Sequence, residues 1–209
     1  MTEVTDVLVI HAGKMGSTRQ IAETIADELR AGGLSVDVCA ATNALEPSGY
    51  RSVVLGSAIY LRRWRPDAIR YLRRNLATLR DLSVWLFQSG PIDPRTITPV
   101  PGTVRRIGAR LGTQPPVTFG GRLDAQHARG LLARWMASSA DMRGDSRDWD
   151  AIRAWARGIR DDVADTPKHA EGGRYTGPAI VIAAEPGGSR HRAPTPEEPT
   201  DPHTLSNLW

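Results

Sequence analysis

Four consecutive apolar residues, Val7-Leu8-Val9-Ile10, run straight into a short glycine-containing stretch and then into an amphipathic helical pattern. An unbroken apolar run of this length suits a strand buried on both faces, and such strands belong to parallel sheets covered by helices. The turn that follows, residues 11–18, contains Gly13 and Gly16. Ser17 and Gln20 are spaced as a capping box at the start of a helix whose apolar face is Ile21, Ala22, Ile25, Ala26 and Leu29. Gly32-Gly33 end that helix.

The same alternation continues. Ser35–Cys39 alternates as a second strand, and Val53-Val54-Leu55 before Gly56 is a third, buried one. Pro66 suits a first helical turn. The helix it opens has Ile69, Leu72, Leu76 and Leu79 on its apolar face and Arg70, Arg73, Arg74 and Arg80 on the others. A fourth strand, Ser83–Gln88, leads into Ser89-Gly90-Pro91. A short helix over Val104–Leu111, a fifth strand at Val117–Gly120 and a last helix over Trp149–Val163 complete the pattern. Regular β/α alternation predicts an α/β fold, a doubly wound five-stranded parallel sheet with helices on both faces. Ligands of such sheets sit beyond the carboxyl ends of the strands, which brings loops 11–18, 56–64 and 89–95 to one site.

Residues 1–165 are expected to form this domain and 166–209 a disordered tail. Seven of the 15 prolines lie between 167 and 202, beside two Gly-Gly pairs. Ala179–Ala184 is the one stretch there with strand character.

The chemistry concentrates at residues 11–18. A buried strand turning into a helix aims backbone N–H groups at one point, and the helix dipole adds positive potential, so a phosphate can bind without a metal. Any α/β protein needs a turn here, so glycine alone does not prove a ligand. A P-loop is ruled out because Lys14 precedes Gly16 instead of standing before the hydroxyls, and a dinucleotide fingerprint lacks its third glycine. The five histidines have no ligand spacing and Cys39 is the one cysteine, so neither a structural zinc site nor a disulfide is expected. Cys39 reads as a buried structural thiol, and His11 as a residue filling the turn, with donation to a phosphate the alternative. The net charge of +4 favours anionic partners. Arginines without interleaved aromatics or a recognition motif argue against nucleic acid. With no secretory leader and no long apolar run, a cytoplasmic protein is expected; the basic amphipathic Leu131–Met136 either covers its own domain, the commoner arrangement, or lies on a bilayer in peripheral contact.

The stretch His11-Ala12-Gly13-Lys14-Met15-Gly16-Ser17-Thr18, followed by Arg19-Gln20-Ile21-Ala22, resembles the phosphate loop of the flavodoxin family. It is most similar to the branch of menaquinone-dependent protoporphyrinogen dehydrogenases and related flavodoxin domains. Four further matches follow in order: Val54–Tyr60, Phe87–Pro91, Phe119–Leu123 and Asp148–Ile152. The resemblance implies a non-covalent FMN. Its phosphate would be held by Gly16, Ser17 and Thr18, with Gly13 allowing close approach and Lys14 and Met15 contributing backbone. Relatives often carry hydroxyls where this chain has Gly13 and Met15, so weaker FMN affinity is expected.

The resemblance further implies that Ser57, Ala58, Ile59 and Tyr60, with the rest of the loop to Trp64, flank the flavin ring on one side, and Ser89, Gly90 and Pro91 on the other. Tyr60 or Trp64 stacks on the ring, or else each packs on a helix. Arg62, Trp64 and Arg65 are the candidate substrate residues, gripping propionates or a nicotinamide phosphate; the bland alternative is a solvated basic helix start. The function implied is an FMN-dependent oxidoreductase moving reducing equivalents from a porphyrinogen-like small molecule to a quinone. A flavodoxin-type electron carrier and a cofactor-free binding module are the alternatives.

Overall fold

A computed structural model of the chain describes residues 4–90, 98–121 and 145–165. The chain divides into units 1–178 and 179–209, and every described residue belongs to the first. The expected tail, the Ala179–Ala184 strand, Leu131–Met136 and Pro91 lie outside the described residues.

The elements in chain order are β1 (Thr5–Ala12), α1 (Ser17–Ala31), β2 (Val36–Ala40), a 3₁₀ turn (Pro47–Gly49), β3 (Tyr50–Tyr60), β4 (Arg63–Trp64), α2 (Pro66–Arg74), α3 (Leu76–Leu79), β5 (Ser83–Ser89), α4 (Gly102–Leu111), β6 (Val117–Phe119) and α5 (Trp149–Asp165). Five strands form a parallel sheet in the order β2-β1-β3-β5-β6. The order reverses between β1 and β3, which is the switch point of a doubly wound sheet. The fold class read from the sequence is the one observed.

Strand alternation divides the core between two faces. Val7, Val9, Val54 and Phe87 pack under α1 and α5, against Ile25, Leu29, Ile152 and Ile159. Leu8, Ile10, Val53 and Leu55 pack under α2 and α4, against Leu72, Val104 and Ile107. On the first face Phe87, Phe119 and Trp155 meet with ring centroids 5.5–6.1 Å apart, two of the three contacts edge-on.

Three expectations need correction. The third strand is much longer than Val53–Leu55. As the central strand it is hydrogen-bonded on both sides, so Ser52, Gly56 and Ser57 stay in the ladder despite their polarity or lack of side chain. The helix from Pro66 is interrupted at Asn75, whose buried side-chain amide donates to the Tyr71 carbonyl at 3.1 Å. The Asn75 backbone amide bonds the same carbonyl at 3.1 Å, so side chain and main chain share one acceptor where α2 gives way to α3. The third correction is β4, which pairs antiparallel with the end of β3 (Ile59 with Trp64, Tyr60 with Arg63). Its two-residue turn is Leu61-Arg62, both with positive φ (49° and 60°). A primed hairpin turn wants Asn-Gly, so the sequence carries no signal for it.

Candidate functional site

Parallel pairing brings the site together. Ala12 is in register with Ser57, and Ala58 with Ser89, so β1, β3 and β5 end level with one another at the mouth of α1. Loops distant in sequence therefore share one edge of the sheet.

The first loop differs from the capping box expected at Ser17 and Gln20. The N-cap is Gly16, at φ 79°, and no side chain caps the helix. Ser17 is already in the first turn. The Gln20 side chain is instead the acceptor for Arg147, a buried arginine that also bonds Asp145 through Nε at 2.6 Å and stacks on Trp149 4.4 Å from its ring centroid. Left-handed backbone at Gly16 is cheap only for glycine. A Cβ at Gly16 would stand in open space, so the helix mouth is roomy as well as uncapped. No acidic residue occupies the first turn of α1. A helix start with no N-cap side chain and no acidic residue in its first turn attracts an anion.

Thr18 is buried, and its hydroxyl lies 2.8 Å from that of Ser89 at the end of β5. Gly13 makes room for this arrangement: a Cβ there would come within 2.6 Å of the Thr18 hydroxyl. Met15 is buried, while Lys14 is exposed. His11 is half-buried at the tip of β1. Burial lowers its pKa from the ordinary value of 6.5, the Arg19 guanidinium lowers it further, and Glu23 opposes. It is a neutral imidazole at pH 7.

The second loop is largely self-organised. The Ser57 hydroxyl donates to the Ala58 carbonyl at 3.0 Å and accepts the Arg65 amide at 2.9 Å, so it staples the β3–β4 hairpin to the start of α2. Ala58 is buried and Ile59 half-buried against Trp64. Tyr60 is half-exposed at the end of β3. Burial pushes its phenol up, while the Lys14 backbone amide beside its oxygen and the charge of Arg65 pull down. Tyr60 thus reaches across to the first loop.

Trp64 departs from the expectation of a ring-stacking or substrate side chain. It is 4 % exposed, belongs to the core beneath α2, and its indole N–H donates to Gln88 Oε1 at 3.0 Å. Gln88, fully buried in β5, completes its bonds through its amide to Thr118 Oγ1 at 2.9 Å and to the Thr98 carbonyl. Arg65 is held by Asp67 at 3.4 Å, and Arg62 is exposed at the hairpin tip. Of the third loop, Ser89 bonds Thr18 and the Gly90 amide donates to the Phe119 carbonyl at 2.8 Å.

Cys39 is half-buried, and burial raises its thiol pKa, with the Leu45 backbone opposing. Among the described residues no cluster of His, Cys, Asp and Glu could hold a metal, and no helix is long and apolar enough to cross a membrane.

A switch-point sheet whose first βα turn presents a helix start with no N-cap side chain and no acid in its first turn is a mononucleotide-binding α/β architecture. The chain belongs to the family described as the flavodoxin domain, whose model matches residues 8–149. Its cofactor is FMN. Solved structures agree on the fold. A flavodoxin from the domain Archaea superposes with a TM-score of 0.55 at 11 % identity, covering 76 % of this chain and 99 % of that one. Oxidised flavodoxin 2 from Bacillus cereus gives 0.52 at 15 % identity, covering 75 % and 99 %. Rubredoxin oxygen:oxidoreductase from Desulfovibrio gigas gives 0.53 at 11 % identity, covering 76 % of this chain and 36 % of that one. Comparison with curated proteins finds no match.

Proposed function

We propose that the protein is an FMN-dependent oxidoreductase that moves reducing equivalents from a small anionic molecule of the porphyrinogen class to a quinone. The observation that supports it most is the start of α1 at Gly16, with no N-cap side chain and no acid in its first turn, set beside the ends of β3 and β5 and tied to β5 through Thr18 and Ser89.

In this reading Gly16, Ser17 and Thr18, with the backbone of Gly13, Lys14 and Met15, hold the FMN phosphate. Tyr60 is the aromatic that flanks the ring, since Trp64 is committed to the core. The backbone of Ser57–Tyr60 and of Ser89-Gly90 would line the ring on its two sides. Flavin supplies the hydride and electron chemistry when bound. The protein's part is to seat it, to shield one face and to present a basic edge to an anionic substrate. Arg62 at the hairpin tip and Arg65 beside Asp67 stand at that edge. A quinone acceptor implies peripheral contact with a membrane from the cytoplasmic side.

A flavodoxin-type carrier is the second reading, favoured by the near-complete coverage of two flavodoxins by this chain. Purified protein reconstituted with FMN separates them. Quinone-dependent oxidation of protoporphyrinogen supports the enzyme. Its absence, with fast one-electron exchange with a redox protein, supports the carrier. Failure to retain FMN at all defeats both.

A further inference from the structure

A groove of about 890 Å³ runs between α2 and α4, and four of its lining residues are Arg63, Arg70, Arg73 and Arg74. Arg70, Arg73 and Arg74 recur at three- and four-residue spacing, so α2 presents them as one stripe. Like charges at that spacing destabilise a helix, and water alone does not reward gathering them on one side of a cavity. Arg70 meets Asp67 at 3.1 Å, but Asp67 is shared with Arg65. Arg63, Arg73 and Arg74 form no ion pair among the described residues. Among the described residues, three of the groove's four guanidinium groups therefore have no carboxylate within ion-pair distance.

Two features shape what can enter. Pro66, Ile69 and Pro101 give the groove an apolar lining beneath the guanidinium rim, with Trp64 and Val104 buried behind them. At its far side α4 begins without a side-chain cap, and Thr103 in that first turn lines the groove. The helix end adds positive potential to that of the arginines.

We propose that this groove binds a small molecule carrying two or more carboxylates or phosphates on an apolar body, the guanidinium groups engaging the anionic ends and the apolar lining taking the body. Arginine suits this task because its planar fork pairs with either anion in bidentate fashion. The groove is built from β4, α2 and α4, elements other than the loop and helix α1 that seat the FMN phosphate. As the substrate subsite of the proposed oxidoreductase it rests on that reading; the binding itself does not.

The test is calorimetric titration of the FMN-saturated protein, so that the mouth of α1 is already filled, at low ionic strength. Pyrophosphate represents a phosphate source and 2,6-naphthalenedicarboxylate a carboxylate on an apolar body, with 2-naphthoate as the single-charge control. Saturable binding of either dianion, weakened about ten-fold or more by Arg73→Ala with Arg74→Ala and unchanged by Arg80→Ala, supports the site. Preference for pyrophosphate assigns a phosphorylated ligand, and preference for the dicarboxylate assigns a carboxylate one. No saturable binding, equal loss in the Arg80→Ala control, or 2-naphthoate binding as tightly as the dianion overturns it. Loss of flavin absorbance with dianion binding intact defeats the oxidoreductase reading and leaves the groove standing.

Discussion

The Thr18 hydroxyl lies 2.8 Å from that of Ser89, joining the first turn of α1 to the end of β5 across 71 residues of chain. Both side chains are buried, so this bond sets the spacing between the first and third loops of the site. If it positions the loops for FMN, Thr18→Val and Ser89→Ala should each weaken flavin binding by about five- to ten-fold, since a buried hydroxyl pair is worth roughly 1 kcal/mol. The double variant should cost little more than either single one, because each removes the same bond. Titration of apoprotein with FMN, followed by flavin fluorescence, measures this. Strictly additive losses would show that the two hydroxyls act separately.

Trp64 offers a discriminating substitution. Phe in its place keeps most of the core packing but leaves the Gln88 carbonyl oxygen, fully buried, without the indole donor. Stability should fall by about 1–3 kcal/mol in urea unfolding, while FMN affinity stays within about two-fold of the parent. A collapse of flavin affinity at unchanged stability would return Trp64 to the flavin ring.

The hairpin turn Leu61-Arg62 stores strain. Both residues are left-handed, and Leu61 is 94 % exposed, so its side chain recovers almost nothing by burial. Replacing the pair by Asn-Gly, which prefers this backbone, should raise stability by about 1 kcal/mol or more. Thermal unfolding of the two proteins reads the difference directly. A neutral or negative outcome would mean that the turn relaxes in solution.

His11 makes stability depend on pH. Its folded pKa is depressed, so below the ordinary value of 6.5 the unfolded chain binds a proton that the folded one refuses. The sign follows: more protons on the unfolded state means stability falls as pH drops through 6.5, until the lower folded pKa is passed. His11→Gln should flatten the slope of unfolding free energy against pH in that window. An unchanged slope would assign it to other groups.

Asp6 anchors the opposite end of β1. Burial raises its pKa, but the Ser35 amide at 3.0 Å, the Arg51 guanidinium at 2.8 Å and the Ser35 hydroxyl at 2.9 Å outweigh this and hold it below the usual value of 3.8. Asp6→Asn keeps the shape and loses the charge. It should lower stability at neutral pH by about 1 kcal/mol, with the deficit vanishing as the parent's own carboxyl is protonated in acid. Urea unfolding at pH 7 and at successively lower pH below 3.8 tests both halves, the gap between the two proteins narrowing as the pH falls.

The apolar runs at Val7–Ile10 and Val53–Leu55, the helical faces of α1 and α5, and the glycines of the first turn made the layered parallel sheet, and the strand-turn-helix from which phosphate binding is proposed, legible in the residues alone. These features are local: periodicity, capping and glycine are properties of neighbouring residues, and they carry the physics of burial and backbone geometry in any context. What stayed hidden depends on partners far along the chain. Gln20 looks like half of a capping box until Arg147 claims it. Trp64 looks like a surface aromatic among arginines until Gln88, buried in the neighbouring strand, gives its N–H an acceptor.

The same distinction separates the two regions proposed to bind anions. The mouth of α1 is encoded by eight consecutive residues, because a strand, a glycine turn and a helix suffice to converge backbone amides. The basic groove required the fold: Arg63 sits on a hairpin strand without a sequence signal, Arg70, Arg73 and Arg74 on a helix, and Thr103 on another helix about thirty residues later. Local chemistry made the proposed cofactor end readable in the sequence; only packing α2 against α4 over the same face of the sheet gave the arginines of β4 and α2 a second wall and so a groove, because a cavity is made by elements that meet in space and not along the chain.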